Sequence, residues 1–137
     1  MSLIRFSISV IPYNSPGTGT PGYWMNHPEA WPVSSITVGG RTYTQEEAIM
    51  FMKAPVATDK TYTMFAALVA AKLNVMIGND ASCVSAAIAA GDVWMTTNWI
   101  GKGVTAGGPT SPWRSGEPIA VILDNYNNGL LCAPHRD

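Results

Sequence analysis

The chain has 137 residues, enough for one domain around one hydrophobic core. Hydrophobic residues make up 47 % of it, but charged residues make up only 12 % and the net charge is −1. Because so few cations are available to neutralise phosphates, this composition argues against nucleic acid as a partner. The sequence also lacks a run of 18 apolar residues, so we expect no membrane-spanning segment.

The scarcity of charge also bears on assembly. Charged residues make up roughly 25 % of an average globular domain, and a soluble monomer keeps its net charge away from zero. This chain meets neither condition, so either Thr, Ser, Asn and Gly coat its surface or other copies of the chain cover much of it. We therefore expect a homo-oligomer.

A β-strand is predicted at residues 3–11, whose sequence is LIRFSISVI. Apolar and polar side chains alternate along it, which is typical of a strand with one buried face. The apolar face comprises Ile4, Phe6, Ile8 and Val10. Such a strand must dock on a sheet, either within its own fold or at the open sheet edge of a neighbouring copy.

Pro12 ends this strand, because proline has no amide hydrogen to donate. Residues 12–22 (PYNSPGTGTPG) are rich in Pro, Gly and Thr and predict a linker or an extended arm. We therefore divide the chain into an N-terminal arm, residues 1–21, and a single globular domain, residues 22–137.

Aromatic residues and turn formers alternate in residues 22–32, GYWMNHPEAWP. Pro28 and Pro32 interrupt any long helix in this segment. The sequence therefore predicts short turns here.

A β-hairpin is predicted at residues 35–44, since Gly39 and Gly40 supply the positive φ angles of a tight two-residue turn. A helix follows at once. Thr44 and Glu47 have the spacing of a capping box, in which each side chain binds a backbone amide of the other residue.

A central helix is predicted at residues 59–77. Its apolar residues recur at helical spacing on most sides, which is typical of a buried helix. Asp59 is a suitable N-cap residue, and Gly78 is suited to the left-handed position after the C-terminus.

A further helix is predicted at residues 81–95, with Asp80 as its cap and Gly91 at a close contact with another helix. Residues 101–117 are rich in Gly, Pro, Ser and Thr and predict a long surface loop. A last short helix should then begin at Pro118.

These elements together predict an α+β fold weighted toward helix. About four helices should surround the central helix (59–77), with one β-hairpin (35–44) and the N-terminal strand (3–11).

His27 and His135 are the two histidines of the chain. With Glu29, Asp124 or Asp137 they are candidate ligands of a metal ion. They do not occur at a recognised ligand spacing, and the alternative is that both are surface or hydrogen-bonded histidines. We expect no other cofactor.

Exposed aromatic residues are a second candidate site, for a polysaccharide or another ligand. The residues of this candidate pocket are Trp24, His27, Trp31 and His135. The alternative is that most of the tryptophans belong to the core, with Trp99 and Trp113 as the exceptions beside the Gly-rich loop. No spacing places a nucleophile, acid or base together, so we expect no catalytic residue and no enzyme.

Three motifs of the sequence resemble an uncharacterised domain of secreted bacterial proteins. They are TPGYWMNHPEAWP (20–32), AAKLNVMIGN (70–79) and LDNYNNGLLCAPHRD (123–137). Members commonly have a basic residue where this chain has Met25. The resemblance implies an extracellular or cell-surface location.

The residues alone leave Cys83 and Cys132 as either one disulfide or two buried thiols. The resemblance to a secreted domain favours the disulfide.

Two functions follow as hypotheses. In the first, the chain is an extracellular structural module that forms a filament or another homopolymer by donating its N-terminal strand to the next copy. In the second, it is a secreted ligand-binding domain that uses the candidate pocket.

Overall fold

The computed structural model describes residues 15–136. They form an α+β fold weighted toward helix, as the sequence predicts. The elements in chain order are α1 (Pro21–Asn26), a 3-10 turn (Pro28–Ala30), β1 (Ser35–Val38), β2 (Arg41–Thr44), α2 (Gln45–Met52), α3 (Lys60–Met76), α4 (Ser85–Thr97) and α5 (Trp113–Asn127). The predicted strand at residues 3–11 lies outside the described residues.

Helix α3 is the centre of the fold, and the prediction of a buried central helix is confirmed. It packs against α1, α2, α4, α5 and β1, and most of its side chains are buried. Asp59 caps its N-terminus, since the Asp59 carboxylate accepts a hydrogen bond of 3.0 Å from the Thr61 amide. Gly78 follows its C-terminus with φ of 111°.

The carboxylate of Asp59 also fixes the loop before α5. Its two oxygens accept hydrogen bonds from the amides of Gly103 (3.0 Å) and Val104 (3.1 Å), and the Lys60 amide donates to the Val104 carbonyl. The loop therefore adopts a defined position against the start of α3.

The β-hairpin is confirmed at the predicted residues. Gly39 and Gly40 form its turn with φ of 60° and 80°, and Val38 pairs with Arg41 across it. The predicted capping box is also present: Thr44 Oγ1 accepts from the Glu47 amide, and the Glu47 carboxylate accepts from the Thr44 amide.

One ion pair ties the hairpin to the helices. Lys72 of α3 and Asp92 of α4 lie 2.6 Å apart. The Lys72 ammonium also donates to the Thr37 carbonyl, and the Asp92 carboxylate accepts from the Gly39 amide. Both ends of this ion pair therefore hold the backbone of the hairpin.

Close approach of helices explains two glycines. A Cβ atom at Gly91 of α4 would lie 2.8 Å from the Leu68 side chain of α3, which confirms the close contact predicted there. A Cβ atom at Gly116 of α5 would lie 2.7 Å from the Trp94 ring. Side chains at these positions would push α3, α4 and α5 apart.

The predicted start of the last helix is wrong. Helix α5 begins at Trp113, and Pro118 lies inside it. The packing of Trp113 outweighs the preference of proline for the first turn of a helix. Trp113 is buried edge-on against Trp94, with ring centroids 5.6 Å apart. Pro118 is exposed, so the carbonyl that loses its helical partner lies at the solvent side.

Two more boundaries differ from the prediction. Residues 21–26 form helix α1, whose cap is Thr20 and whose first residue is Pro21. Helix α4 begins at Ser85, because Asp80 accepts a hydrogen bond from the Ser82 amide and so forms a turn instead of a cap.

Within residues 15–136, no helix is long and apolar enough to cross a bilayer.

Candidate functional site

The two tryptophans of the candidate pocket lie in the hydrophobic core. Trp24 is fully buried and Trp31 nearly so. The Trp31 indole donates a hydrogen bond of 2.9 Å to the Trp24 carbonyl. These indoles therefore stabilise the fold and offer no exposed stacking surface.

His27 and His135 have separate environments. The His27 ring stacks on Tyr23 with centroids 4.3 Å apart, and its Nδ1 lies 2.8 Å from the Tyr23 carbonyl oxygen. His135 is exposed, and its backbone pairs with Thr18. Within residues 15–136, no three His, Cys, Asp or Glu side chains are close enough together to hold a metal ion.

The other candidate metal ligands do not join them. Glu29 and Asp124 are exposed on separate elements, and Asp137 lies outside the described residues. Although the Asp124 side chain is exposed at the surface, neighbouring atoms shield its carboxyl partly from water, and this desolvation raises the pKa of Asp124 above its ordinary value.

A different set of residues lies close together where the segment that begins at Ser15 packs against the rest of the fold. The sequence predicts a linker or an extended arm at residues 12–22. From Ser15 onward the chain instead lies in a slot, and Gly17, Thr18 and Gly19 are buried.

Asn74 of α3 forms the first part of this slot. Its side-chain oxygen accepts hydrogen bonds from the Gly19 amide (2.8 Å) and from the Trp24 indole (3.1 Å). Its side-chain nitrogen donates to the Gly19 carbonyl (2.8 Å) and to the Asn127 side chain (3.0 Å). All four hydrogen-bonding positions of this buried carboxamide are therefore used.

Asn79, just after α3, binds the backbone of Gly17 in the same way as Asn74 binds that of Gly19. Its side-chain oxygen accepts from Ser15 Oγ (2.6 Å) and from the Gly17 amide (3.0 Å). Its side-chain nitrogen donates to the Gly17 carbonyl (2.9 Å) and to the Asn74 carbonyl (3.0 Å). The two asparagines thus bind the backbone amide and carbonyl groups of two alternate residues, Gly17 and Gly19.

The last residues of the structure form the opposite wall of the slot. The Thr18 amide donates to the Pro134 carbonyl (2.8 Å), and the Arg136 amide donates to the Thr18 carbonyl (3.0 Å). Thr18 and His135 form an isolated parallel bridge. We call the space between Asn74, Asn79 and residues 134–136 the asparagine slot.

Glycine is required at the two positions that face Asn74 and Asn79. Gly17 has φ of 88°, and a Cβ atom there would lie 2.8 Å from the Arg136 backbone. A Cβ atom at Gly19 would lie 2.5 Å from the Tyr23 ring. The slot wall therefore excludes a side chain at Gly17, and the adjoining helix α1 excludes one at Gly19.

The wall at residues 134–136 is itself held in three ways. The predicted disulfide between Cys83 and Cys132 is present and links the tail to the turn before α4. The Arg136 guanidinium lies over the Tyr23 ring, 4.6 Å from its centroid. The backbone of His135 packs directly against Gly129, which has φ of 74°. A Cβ atom at Gly129 would overlap the backbone of His135.

Tyr126 supports the same region from α5. Its hydroxyl donates a hydrogen bond of 2.7 Å to the Asp80 carbonyl. Burial and the nearby Asp80 charge raise the pKa of Tyr126 to about 12.

The hairpin presents an open edge at β2. In a hairpin with a two-residue turn, the pair beside the turn exchanges ladder hydrogen bonds, and the next pair does not. Thr37 and Thr42 form that next pair, so the N–H and C=O groups of Thr42 face away from β1. Among the described residues, no partner occupies this outer side of Thr42.

Two further surface features lie away from the slot. Trp99 is 58 % exposed, as predicted, with the Lys102 ammonium 5.0 Å from its ring centroid; Trp113, predicted as a second exception, is buried. A groove of about 590 Å³ lies between the 3-10 turn and α2, lined by Pro28, Ile49 and Met50 among others.

The sequence interpretation missed Asn74, Asn79 and Asn127. One signal was available: an asparagine in the middle of an apolar helix face has no partner unless another chain segment supplies one. The assembly strand residues Ile4, Phe6, Ile8 and Val10 lie outside the described residues and stay a prediction. No protein-family model, curated protein or solved structure matches this chain.

Proposed function

We propose that this chain is a secreted structural module that assembles with copies of itself, and that it belongs to the bacterial secreted domains that it resembles. Its N-terminal strand, residues 3–11, adds to the sheet edge of an adjacent copy. The observation that carries the proposal is the asparagine slot, which fixes the chain immediately after that strand.

The tether between strand and slot is short. Residues 12–14 separate the predicted strand from Ser15, whose hydroxyl binds Asn79. Three extended residues span at most roughly 11 Å. A strand at residues 3–11 would therefore end within this distance of Ser15, which favours a defined contact over a loosely attached tail.

The open edge at Thr42 is the acceptor in this proposal. It offers an N–H and a C=O group to an incoming strand, and the strand would supply main-chain hydrogen bonds in return. The apolar face of residues 3–11 would lie over the hairpin side that faces the core, beside Tyr43.

The disulfide supports a secreted location. Disulfides persist in oxidising compartments and are rare in the reducing cytosol. The low content of charged residues supports contact between copies, because such a surface loses little solvation on burial.

The proposal is tested by polar substitutions in the strand. Phe6→Asn with Ile8→Asn replaces the two central side chains of the apolar face, and Ser7→Asn with Ser9→Asn is the matched control on the other face. We expect the first pair to leave a folded monomer and the control to assemble like the unchanged chain, as measured by size-exclusion chromatography with light scattering. Assembly of both variants to the same size would refute the proposal.

A further inference from the structure

The groove between the 3-10 turn and α2 has a fixed shape. The Gln45 side chain donates a hydrogen bond of 2.6 Å to the Pro28 carbonyl, which holds the two elements together. The groove has a volume of about 590 Å³, and its lining residues are Pro28, Gln45, Glu46, Ile49, Met50 and Lys53.

Helix α2 contributes an ordered surface to this groove. Glu46, Ile49, Met50 and Lys53 recur at three- and four-residue spacing and so lie on one side of the helix; we call them the α2 face. Met50 at its centre is 58 % exposed. An exposed apolar centre with a polar rim is typical of an interaction surface, and methionine adapts well to an apolar partner.

The two charges of the α2 face have no partner of opposite charge among residues 15–136, where the one ion pair joins Lys72 and Asp92. Glu46 lies at the start of α2, and Lys53 follows its last residue in a helical conformation. Seven residues separate them, which corresponds to about 10 Å along the helix. The face therefore has an acid at one end, an apolar centre and a base at the other end.

This order of charges is self-complementary. A two-fold axis through the apolar centre places Glu46 of each copy opposite Lys53 of the other and brings the two Met50 side chains together. A two-fold interface requires such a match, because the same surface patch serves both partners. A ligand with charges of one sign gains little here, since it meets an acid and a base together.

From this pattern we infer that the α2 face binds the α2 face of a second copy of this chain, in antiparallel orientation about a two-fold axis. The inference rests on the proposed self-association and adds to it a contact that does not involve residues 3–11. Helix α2 has eight residues and is about 12 Å long. The contact is therefore smaller than the roughly 800 Å² per partner of a stable interface, and it forms at high protein concentration or between copies that are already joined.

The test is a cross-link at the centre of the face. All variants carry Phe6→Asn and Ile8→Asn, so that the contact of the proposed function is removed. Met50→Cys adds a free thiol, since Cys83 and Cys132 are bonded to each other. A bismaleimide with a reach of about 8–10 Å, the distance between packed helices, joins the thiols of two copies.

We expect a product of twice the 14.6 kDa chain mass, in a yield that rises with protein concentration. The matched control is Val93→Cys on α4, because Val93 is 67 % exposed and lies outside the α2 face. Denaturing electrophoresis measures both yields. Equal yields from Met50→Cys and Val93→Cys would overturn the inference.

Charge reversal then tests the pairing of Glu46 with Lys53 in the Met50→Cys variant. Glu46→Lys places like charges opposite each other, and we expect the yield to fall about tenfold. Adding Lys53→Glu restores opposite charges and should restore the yield, whereas Glu117→Lys, at an exposed position of α5, should leave the yield unchanged. Folded variants, as judged by near-ultraviolet circular dichroism, in which the second reversal restores nothing would overturn the inference.

A salt titration of Met50→Cys needs no charge-reversed variant. Raising the salt concentration from about 0.01 M to about 0.5 M screens charge pairs at the surface, and we expect the yield to fall severalfold. A yield that does not change with salt would overturn the inference and would favour another occupant of the groove, such as an amphipathic helix of a different protein.

The same variants separate this inference from the proposed function. If chains with Phe6→Asn and Ile8→Asn assemble like the unchanged chain, the proposed function fails, and the charge dependence of the cross-link at residue 50 still decides whether α2 faces pair. If these chains are monomers and the cross-link does not depend on charge, the proposed function holds and the pairing of α2 faces is refuted.

Discussion

Asn74 and Gly19 exchange two hydrogen bonds of 2.8 Å each across 55 residues of sequence, one in each direction. The side chain of a helical residue thus pairs with a backbone as a strand would. These two hydrogen bonds connect α3, at the centre of the core, to the segment that precedes α1.

Replacement of Asn74 should be strongly destabilising. Asn74→Leu keeps the volume but leaves the Gly19 amide, the Gly19 carbonyl and the Trp24 indole buried without partners. Each such group costs about 1–3 kcal/mol, so we expect a loss of at least about 3 kcal/mol in the free energy of unfolding. Urea denaturation measures it, and Asn128→Leu, at an exposed position, is the control with an expected loss below about 1 kcal/mol. Equal losses would contradict the role of Asn74.

Gly17→Ala separates crowding in the slot from backbone strain. Gly17 and Gly103 have nearly equal φ angles, 88° and 91°, but only at Gly17 does a Cβ atom meet another residue, Arg136. Both alanine variants should lose about 1 kcal/mol from strain, and Gly17→Ala should lose more. Thermal unfolding compares them, and a Gly103→Ala variant that is as unstable as Gly17→Ala would show that the slot tolerates a side chain.

Reduction of the disulfide should loosen the slot before it unfolds the protein. Closing a loop of this length contributes about 4 kcal/mol in the chain-entropy model, and Cys132 lies two residues before Pro134, which binds the Thr18 amide. We expect faster hydrogen exchange at Thr18 and Arg136 in reductant than at amides in the middle of α3. The double variant Cys83→Ser, Cys132→Ser should exchange equally fast with and without reductant. Unchanged protection of Thr18 after reduction would argue that the tail holds without its disulfide.

Stability should fall at alkaline pH because of Tyr126. Its pKa is raised to about 12 in the fold, whereas an unfolded tyrosine has a pKa near 10. The unfolded state therefore loses its proton first, so the stabilisation is complete below about pH 10 and is lost as the pH rises toward 12, by up to about 3 kcal/mol. Urea unfolding at several pH values measures it.

Tyr126→Phe provides the control for this titration. The variant loses the hydrogen bond to the Asp80 carbonyl and should be less stable at pH 7 by about 1 kcal/mol. Its stability should then depend less on pH above 10. If the stability of Tyr126→Phe fell as steeply above pH 10 as that of the unchanged chain, the titrating group would be another residue.

Local signals predicted much of this fold. The hairpin turn was predicted from Gly39 and Gly40, the start of α2 from Thr44 and Glu47, and the start of α3 from Asp59. Each of these residues determines the backbone conformation within a few residues of itself, so its effect can be predicted from local sequence. The start of α5 was mispredicted because Trp113 begins the helix by packing on Trp94, and such a contact leaves no mark on local sequence.

The asparagine slot was not predicted for the same reason. Residues 15–19 carry the Gly and Pro content of a linker, and only partners more than 50 residues away make them part of the fold. Likewise, Trp24 and His27 are close in sequence, but one is in the core and the other stacks on Tyr23.

The parallel direction of the bridge between Thr18 and His135 has a mechanical consequence. A pull on the segment before Ser15 and an opposite pull on the segment after Arg136 act along the two bridged stretches in contrary directions. Such a load shears both hydrogen bonds of the bridge at once instead of peeling them one by one. Opposed tension on these two ends of the chain would therefore have to break both hydrogen bonds of the bridge together.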